Sequence, residues 1–187
     1  MAMKFAKLAL IFLLPFVFSG PALAQEISIP TQSISPAASP TPSFDYDLPY
    51  PGILPGNPLY SIKAMRDKFT EFLISSPDKK AKFELLQADK RLAASIDLFD
   101  QGKDSLGEST LSKSQNYLES SLNQIVIAKK SNKFVGDISS KAKSSSEKQT
   151  EIIGGLVKTK NGEIKIKLEY DLKRAQDLQK KAEELSP

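Results

Sequence analysis

The sequence predicts an all-α fold: a short first helix and then four long antiparallel helices, forming a bundle or elongated helical hairpins. From Pro58 onward, apolar residues recur at steps of three and four, which is the period of an amphipathic helix. Cap, Gly and Pro signals separate these periodic stretches. The chain also lacks Trp and long β-branched runs, which argues against a sheet. We therefore expect a helical domain over residues 58–187.

The first helix follows a favourable start signal. Asn57 is a good N-cap, and Pro58 suits the first helical position. The segment is expected to end near Ser75. Its apolar residues step by three, four and three, which places four of them on one face: Ile62, Met65, Phe69 and Phe72.

Start and stop signals also bound the second and third helices. Ser76 followed by Pro77 begins the second helix, and Gly102 ends it. The third helix has weak propensity at its start and is expected to end between Lys129 and Asn132. The apolar stripes are Leu85, Ala88, Leu92, Ile96 and Phe99 on the second helix, and Leu111, Leu118, Leu122 and Ile125 on the third.

The fourth helix is expected from about Lys133 to Lys158, and its polar centre predicts looser packing. A turn follows, and the fifth helix keeps its apolar spacing to Leu185. Residues 163–166 alternate between polar and apolar, so a short strand is an alternative there. Helix is favoured because no other segment offers that strand a partner. The sequence leaves open how these two helices pack on the first three.

The N-terminal 24 residues have the layout of a secretory signal peptide. Lys4 and Lys7 precede an unbroken apolar run of 11 residues at 8–18, and small residues stand before a cleavage site between Ala24 and Gln25. The run is well short of the roughly 20 residues that a membrane-spanning helix needs. We expect an exported, extracytoplasmic protein, with a retained N-terminal membrane anchor as the alternative.

Residues 25–57 are predicted to be a Pro/Ser/Thr-rich linker, disordered to extended. Eight of the chain's 12 prolines lie between Gln25 and Pro58. Proline cannot continue a helix or pair within a central strand, and few apolar residues are present to offset the ordering entropy. From Phe44 aromatic side chains return, so this part is expected to pack as an extended lead-in along the helical domain.

The composition excludes several classes of function. The chain has neither His nor Cys, which removes imidazole-based catalysis, zinc and copper sites and disulfides. The 26 basic and 22 acidic residues are too nearly balanced for a typical nucleic-acid binder. Ser144 and Lys148 have helical spacing, as chance alone would give in a chain rich in both residue types. We therefore predict no enzyme activity, no catalytic residue, no cofactor and no metal site.

One local pattern is more distinctive. Pro58-Leu59-Tyr60 with Lys63 is followed by Ser76-Pro77 and then by Ala88-Asp89-Lys90-Arg91-Leu92. In this order the elements resemble the secreted helical family known as domain of unknown function 5667, over about residues 54–122. Asn57 stands where that family more often has a small or acidic residue. The resemblance implies a helical fold and leaves the activity open.

Within this pattern Tyr60, Lys63 and Arg91 are the residues of interest. We expect structural roles, with Tyr60 fixing the start of the first helix and Arg91 pairing with an acid on a neighbouring helix. A ligand or partner site near the Pro-rich segment is the alternative.

The densest basic patch is formed by five lysines: Lys129, Lys130, Lys133, Lys141 and Lys143. Lysines near a helix C-terminus also suit its dipole, so a solvated helix end is expected. Binding of an anionic envelope polymer or a membrane surface by this patch is the alternative.

Taken together, these features predict an exported, non-enzymatic interaction or structural module of the cell envelope. Its partner would be an unidentified envelope protein or a second copy of the chain. The polar centre of the fourth helix and the aromatic lead-in are the expected contact regions.

Overall fold

The computed structural model describes residues 46–187. No strand occurs in that range, so the all-α prediction is confirmed, and residues 163–166 are helical. The predicted signal peptide, its cleavage between Ala24 and Gln25 and most of the linker lie outside the described residues. The helices are α1 Tyr60–Leu73, α2 Pro77–Asp100, α3 Asp104–Lys130, α4 Gly136–Thr159 and α5 Gly162–Leu185.

Helices α2 and α3 form an antiparallel hairpin. The Ser121 hydroxyl on α3 donates a hydrogen bond of 2.8 Å to the carbonyl of Ala81. The Ser114 hydroxyl donates one of 2.7 Å to the carbonyl of Ala88. Residue numbers rise on α2 as they fall on α3, and the small serine side chains allow the two helices to approach closely.

The second hairpin, α4 and α5, packs on the first. Gln115 on α3 donates a hydrogen bond to the carbonyl of Asp171 on α5, and Lys181 donates to Asn123 further along the same pair. These contacts make α3 and α5 parallel. Helices α2–α5 therefore form an up-down-up-down four-helix bundle, which answers the packing question that the sequence left open.

Two apolar clusters fill the bundle. The first includes Leu118, Leu122 and Ile125, and the second includes Leu92 and Leu111, all fully buried. At the start of α3, Gly107 lies against the ring of Phe99, and a Cβ built there would come within 3.1 Å of that ring. The glycine that weakens helix propensity thus permits this close approach.

One side of the polar centre of α4 (residues 141–149) is buried, although looser packing was predicted there. Ser145, Ser146 and Gln149 are all fully buried and face the interior of the bundle. Helix α4 begins at Gly136 and not at the predicted Lys133. Asn132 has a φ of 54°, in the left-handed region, so the backbone leaves the helical conformation before α4 begins. The serine-rich sequence makes a polar layer inside the fold.

Helix α1 begins two residues later than predicted. The side-chain oxygen of Asn57 accepts a hydrogen bond from the backbone N–H of Leu59, so it closes a turn ahead of the helix. The helix itself begins at Tyr60. The four predicted apolar residues do share one face of α1, but that face points away from the bundle. Asp67 is the one residue of α1 that is buried.

Candidate interaction site

The lead-in is fastened to the bundle by a buried carboxylate. Asp89 on α2 accepts hydrogen bonds from the Tyr46 hydroxyl at 2.7 Å and from the Ser145 hydroxyl on α4 at 2.5 Å. Leu48 packs against the second apolar cluster. The described part of the lead-in therefore lies along the helical domain, as its aromatic content predicted.

Burial dominates the electrostatics of this contact. It raises the pKa of Asp89, and the hydrogen bonds from Ser145 and Tyr46 act in the opposite direction. Burial and the neighbouring carboxylate of Asp89 both raise the pKa of the Tyr46 phenol. The tyrosine therefore stays protonated and keeps donating its hydrogen bond. Tyr46, Asp89 and Ser145 together hold the lead-in against the bundle.

A second fastening orients α1. The Lys63 ammonium group on α1 donates hydrogen bonds to the carbonyl of Pro51 at 2.7 Å and to that of Ile53 at 3.3 Å. A Pro-rich segment has carbonyls but few backbone donors. Lys63 supplies such a donor. The side of α1 that carries Lys63 therefore faces the lead-in and α2.

The residues of the family-like pattern meet at this inward side. Tyr60 and Lys63 of α1 line a small crevice together with Arg91 of α2. The guanidinium of Arg91 lies 4.1 Å from the ring centroid of Tyr117 on α3 and donates to the side chain of Gln87. Within residues 46–187 it has no ion pair with an acid, so the predicted pairing of Arg91 was wrong and a cation–π contact replaces it.

The outward side of α1 is apolar and exposed. At about 100° of rotation per residue, the side that carries Lys63 and Asp67 lies opposite the side that carries Phe69. Phe72 is 83% exposed and Phe69 is 63% exposed. The remaining large apolar residues of α1 are each exposed by more than 60%: Ile62, Met65 and Leu73.

A basic groove lies beside this face. Its volume is about 470 Å³. Tyr50, Leu59 and Ile62 give it apolar walls, and none of the described residues that line it is acidic. The charged groups that line it are all cations: Lys63, Arg66 and Lys90.

The cations around Lys63 are close enough to affect one another. Burial lowers the pKa of Lys63, and the positive charges of Arg91, Lys90 and Arg66 lower it further. Asp67 raises it, and the same carboxylate forms an ion pair of 2.8 Å with Arg66. The groove is therefore a region of positive potential with one buried acid nearby.

A polar layer crosses the interior of the bundle. Gln149 on α4 donates a hydrogen bond of 3.1 Å to Ser114, and Gln115 donates one of 2.7 Å to the carbonyl of Asp171. Three buried oxygens in this layer lack a hydrogen-bond partner: Gln115 Oε1, Gln149 Oε1 and Asp171 Oδ2. Ser145 and Gln149 continue the helical spacing of Ile138 and Ala142, and this spacing is the sequence signal for the layer.

The lysine patch lies at the end of the bundle where α3 meets α4. Lys129, Lys130 and Lys133 are exposed there, and Lys129 donates a hydrogen bond to the carbonyl of Leu185. Lys141 is exposed on α4, and Lys143 lies 4.0 Å from Glu147. The lysines are spread over the end of α3, the α3–α4 connection and α4, and an acid lies near Lys143.

No group of three or more acidic, His or Cys side chains in residues 46–187 could hold a metal ion. No helix in the same range combines the length and the apolar character needed to cross a bilayer.

The fold and the site define a class of protein: an all-α domain with a four-helix bundle, a fastened lead-in and an amphipathic helix turned outward. The family model described as Domain of unknown function (DUF5667) matches residues 52–153, from the lead-in into α4. The chain belongs to that family, and the suspected resemblance is confirmed. Neither a curated protein nor a solved structure matches the chain.

Proposed function

We propose that the chain is an exported, non-enzymatic interaction module of the cell envelope that binds its partner through the outward face of α1. The observation that carries this proposal is the exposure of the large apolar side chains along one side of that helix. Contiguous apolar surface of this kind marks interaction sites on soluble proteins. The N-terminal sequence pattern supports export, and the lack of His and Cys supports a non-enzymatic role.

Photo-cross-linking in the native envelope tests this proposal. A photoreactive phenylalanine replaces Phe72 on α1 or, as a control, Tyr170 on α5, which is 73% exposed. We expect adducts from position 72 at several times the yield from position 170. Equal yields from the two positions contradict the proposal. The mass of the N-terminus of the exported chain tests cleavage between Ala24 and Gln25 in the same preparation.

A second candidate function uses the lysine patch. Three of its members, Lys129, Lys130 and Lys133, are exposed at one end of the bundle, which favours attraction of an anionic envelope polymer. Binding of the chain to heparin, followed across salt concentrations, tests it. The triple change of these lysines to Gln should abolish a salt-sensitive interaction, whereas Lys173→Gln on α5 should not. Binding that is absent or independent of salt contradicts this candidate.

A further inference from the structure

Helix α1 places two features side by side, an exposed apolar face and a basic groove. Its outward face is apolar over the whole helix of 14 residues, a length of about 21 Å. The basic groove adjoins that face and shares Ile62 with it. An occupant that matches both features has an apolar body next to an anionic group.

The apolar face of α1 consists of side chains that project away from the bundle. Phe69 and Phe72 project from a helix that packs on the rest of the molecule through its polar side. Among the five helices α1 is the most strongly amphipathic. A helix with Phe and Leu on one face and Lys or Arg beside it is the pattern of a helix that lies in the plane of a membrane interface.

We propose that α1 is a membrane-surface helix, whose outward face enters the acyl boundary of an anionic bilayer while the basic groove binds lipid head groups. This inference rests on the proposed function and names its partner. Arg66, with its side chain 70% exposed, and Lys90 are the cations that meet head-group phosphates. Lys63 stays bonded to the carbonyls of Pro51 and Ile53 and fixes the orientation of the helix.

Charge and area favour a lipid surface over a second copy of the chain. A second copy would bring another basic groove next to the first, and like charges repel. A helix about 21 Å long and 10 Å wide has a footprint of a few hundred Å², below the roughly 800 Å² per partner of a stable interface. A bilayer supplies anionic groups and has no such minimum area.

The length of the chain before the lead-in is compatible with this orientation. The apolar run ends at residue 18 and the described lead-in begins at Tyr46. The intervening residues can span at most about 3.5 Å each, or roughly 100 Å in all. This reach is enough for α1 to meet the bilayer if the N-terminal run remains in it, and a cleaved chain meets the surface by diffusion.

The absence of Trp from the chain gives a direct test. Phe69→Trp places a single fluorophore on the outward face, and Tyr170→Trp places one on α5 as a control. Both exported proteins are mixed with phosphatidylcholine vesicles with and without 30 mol% phosphatidylglycerol. We expect a blue shift of emission, and quenching by brominated lipid, from position 69 with the anionic vesicles alone. No shift at position 69, or equal shifts at both positions, overturns the inference.

Vesicle co-sedimentation of further variants separates the two parts of the site. Phe72→Ser should lower partitioning by on the order of tenfold, because a large apolar group no longer enters the bilayer. Lys90→Gln should lower it about fivefold, and the loss should shrink at high salt. Tyr170→Ser and Lys173→Gln serve as matched controls on α5. Effects of equal size from the controls contradict the inference.

The outcomes distinguish this inference from the proposed function. If position 72 cross-links to one envelope protein while Trp at position 69 stays unshifted on vesicles, the inference fails and the proposed function stands. A dimer in sedimentation velocity that Phe69→Ser abolishes assigns the face to a second copy and also overturns the inference. If neither cross-links nor vesicle binding depend on α1, both proposals fail.

Discussion

Helices α1 and α5 have similar apolar spacing and opposite environments. On α5 the stripe that includes Leu168, Ala175 and Leu178 is buried in the bundle. On α1 the equivalent stripe is exposed, and the buried residue is Asp67. The spacing of apolar residues therefore defines a face of a helix, while the partner of that face depends on the rest of the chain. For α1 the lead-in and Lys63 decide which side turns inward.

This difference has a functional meaning. Apolar burial stabilises the bundle, whereas the outward face of α1 contributes little to the stability of the isolated chain. An apolar face that contributes little to folding is available for binding. Substitutions in the two regions should therefore differ in their effects on stability.

The largest expected effect comes from truncating a side chain of the bundle. Leu118 is fully buried in the first apolar cluster, so Leu118→Ala should lower the free energy of unfolding by about 2–5 kcal/mol through lost burial and a cavity. Phe69→Ala on α1 should change it by less than about 1 kcal/mol. Urea unfolding of both variants measures the contrast. Losses of similar size would show that the outward face of α1 is packed in solution.

The next effect concerns a buried carboxyl of the bundle. Burial raises the pKa of Asp171 to about 6, with Glu108 adding to the rise and Arg174 opposing it. The unfolded chain has an ordinary Asp pKa of about 3.9. The folded state therefore binds more protons between about pH 4 and pH 6, so stability falls as the pH rises through that window and stays lower above it.

Asp171→Asn removes this ionisation. The variant should be more stable than the wild type at pH 7 by on the order of 2 kcal/mol, and the difference should shrink toward zero below pH 4. Urea unfolding at pH 4 and pH 7 gives both values. Asp177→Asn, which makes the same change at an exposed residue of the same helix, is the matched control. A wild-type-like pH dependence in the Asp171 variant contradicts the prediction.

A smaller effect is expected where the lead-in meets the bundle. Tyr46→Phe removes the hydroxyl that donates to Asp89 and leaves that buried carboxylate with the bond from Ser145. The cost should be about 1–2 kcal/mol. Limited proteolysis should also cut the lead-in sooner, whereas Tyr50→Phe, at an exposed position nearby, should leave both measurements unchanged. If cutting is no faster, the hydroxyl does not hold the lead-in.

Much of the fold could be predicted from the sequence because helix signals are local. Ser76 before Pro77 marks the start of α2, and Gly102, with φ of 71°, lies just beyond its end. The spacing of Ser145 and Gln149 places them on the apolar side of α4, but the groups they bond to could not be predicted in the same way. Ser145 donates to Asp89, 56 residues away, and Gln149 donates to Ser114, 35 residues away. The polar composition of the centre of α4 predicted looser packing and a contact region instead.

The orientation of α1 could not be predicted from the sequence, because it also depends on contacts between distant residues. Its apolar periodicity was correctly placed on one face, and the usual expectation is that such a face is buried. The side of α1 that turns inward instead carries Lys63, which donates to the carbonyls of Pro51 and Ile53. The Lys63 position of the family-like pattern therefore bears directly on how α1 is presented.

The smallest expected effect on stability tests this orientation. Lys63→Met keeps an unbranched side chain but removes the donor to both carbonyls, at a cost of about 1 kcal/mol because the group is partly solvated. Hydrogen exchange should become faster in α1 and stay unchanged in α3, since α1 loses a link to the lead-in. Lys68→Met, at an exposed position of the same helix, is the control. Unchanged protection of α1 would mean that Asp67 and Tyr60 suffice to orient it, and the outward face would then be independent of the lead-in.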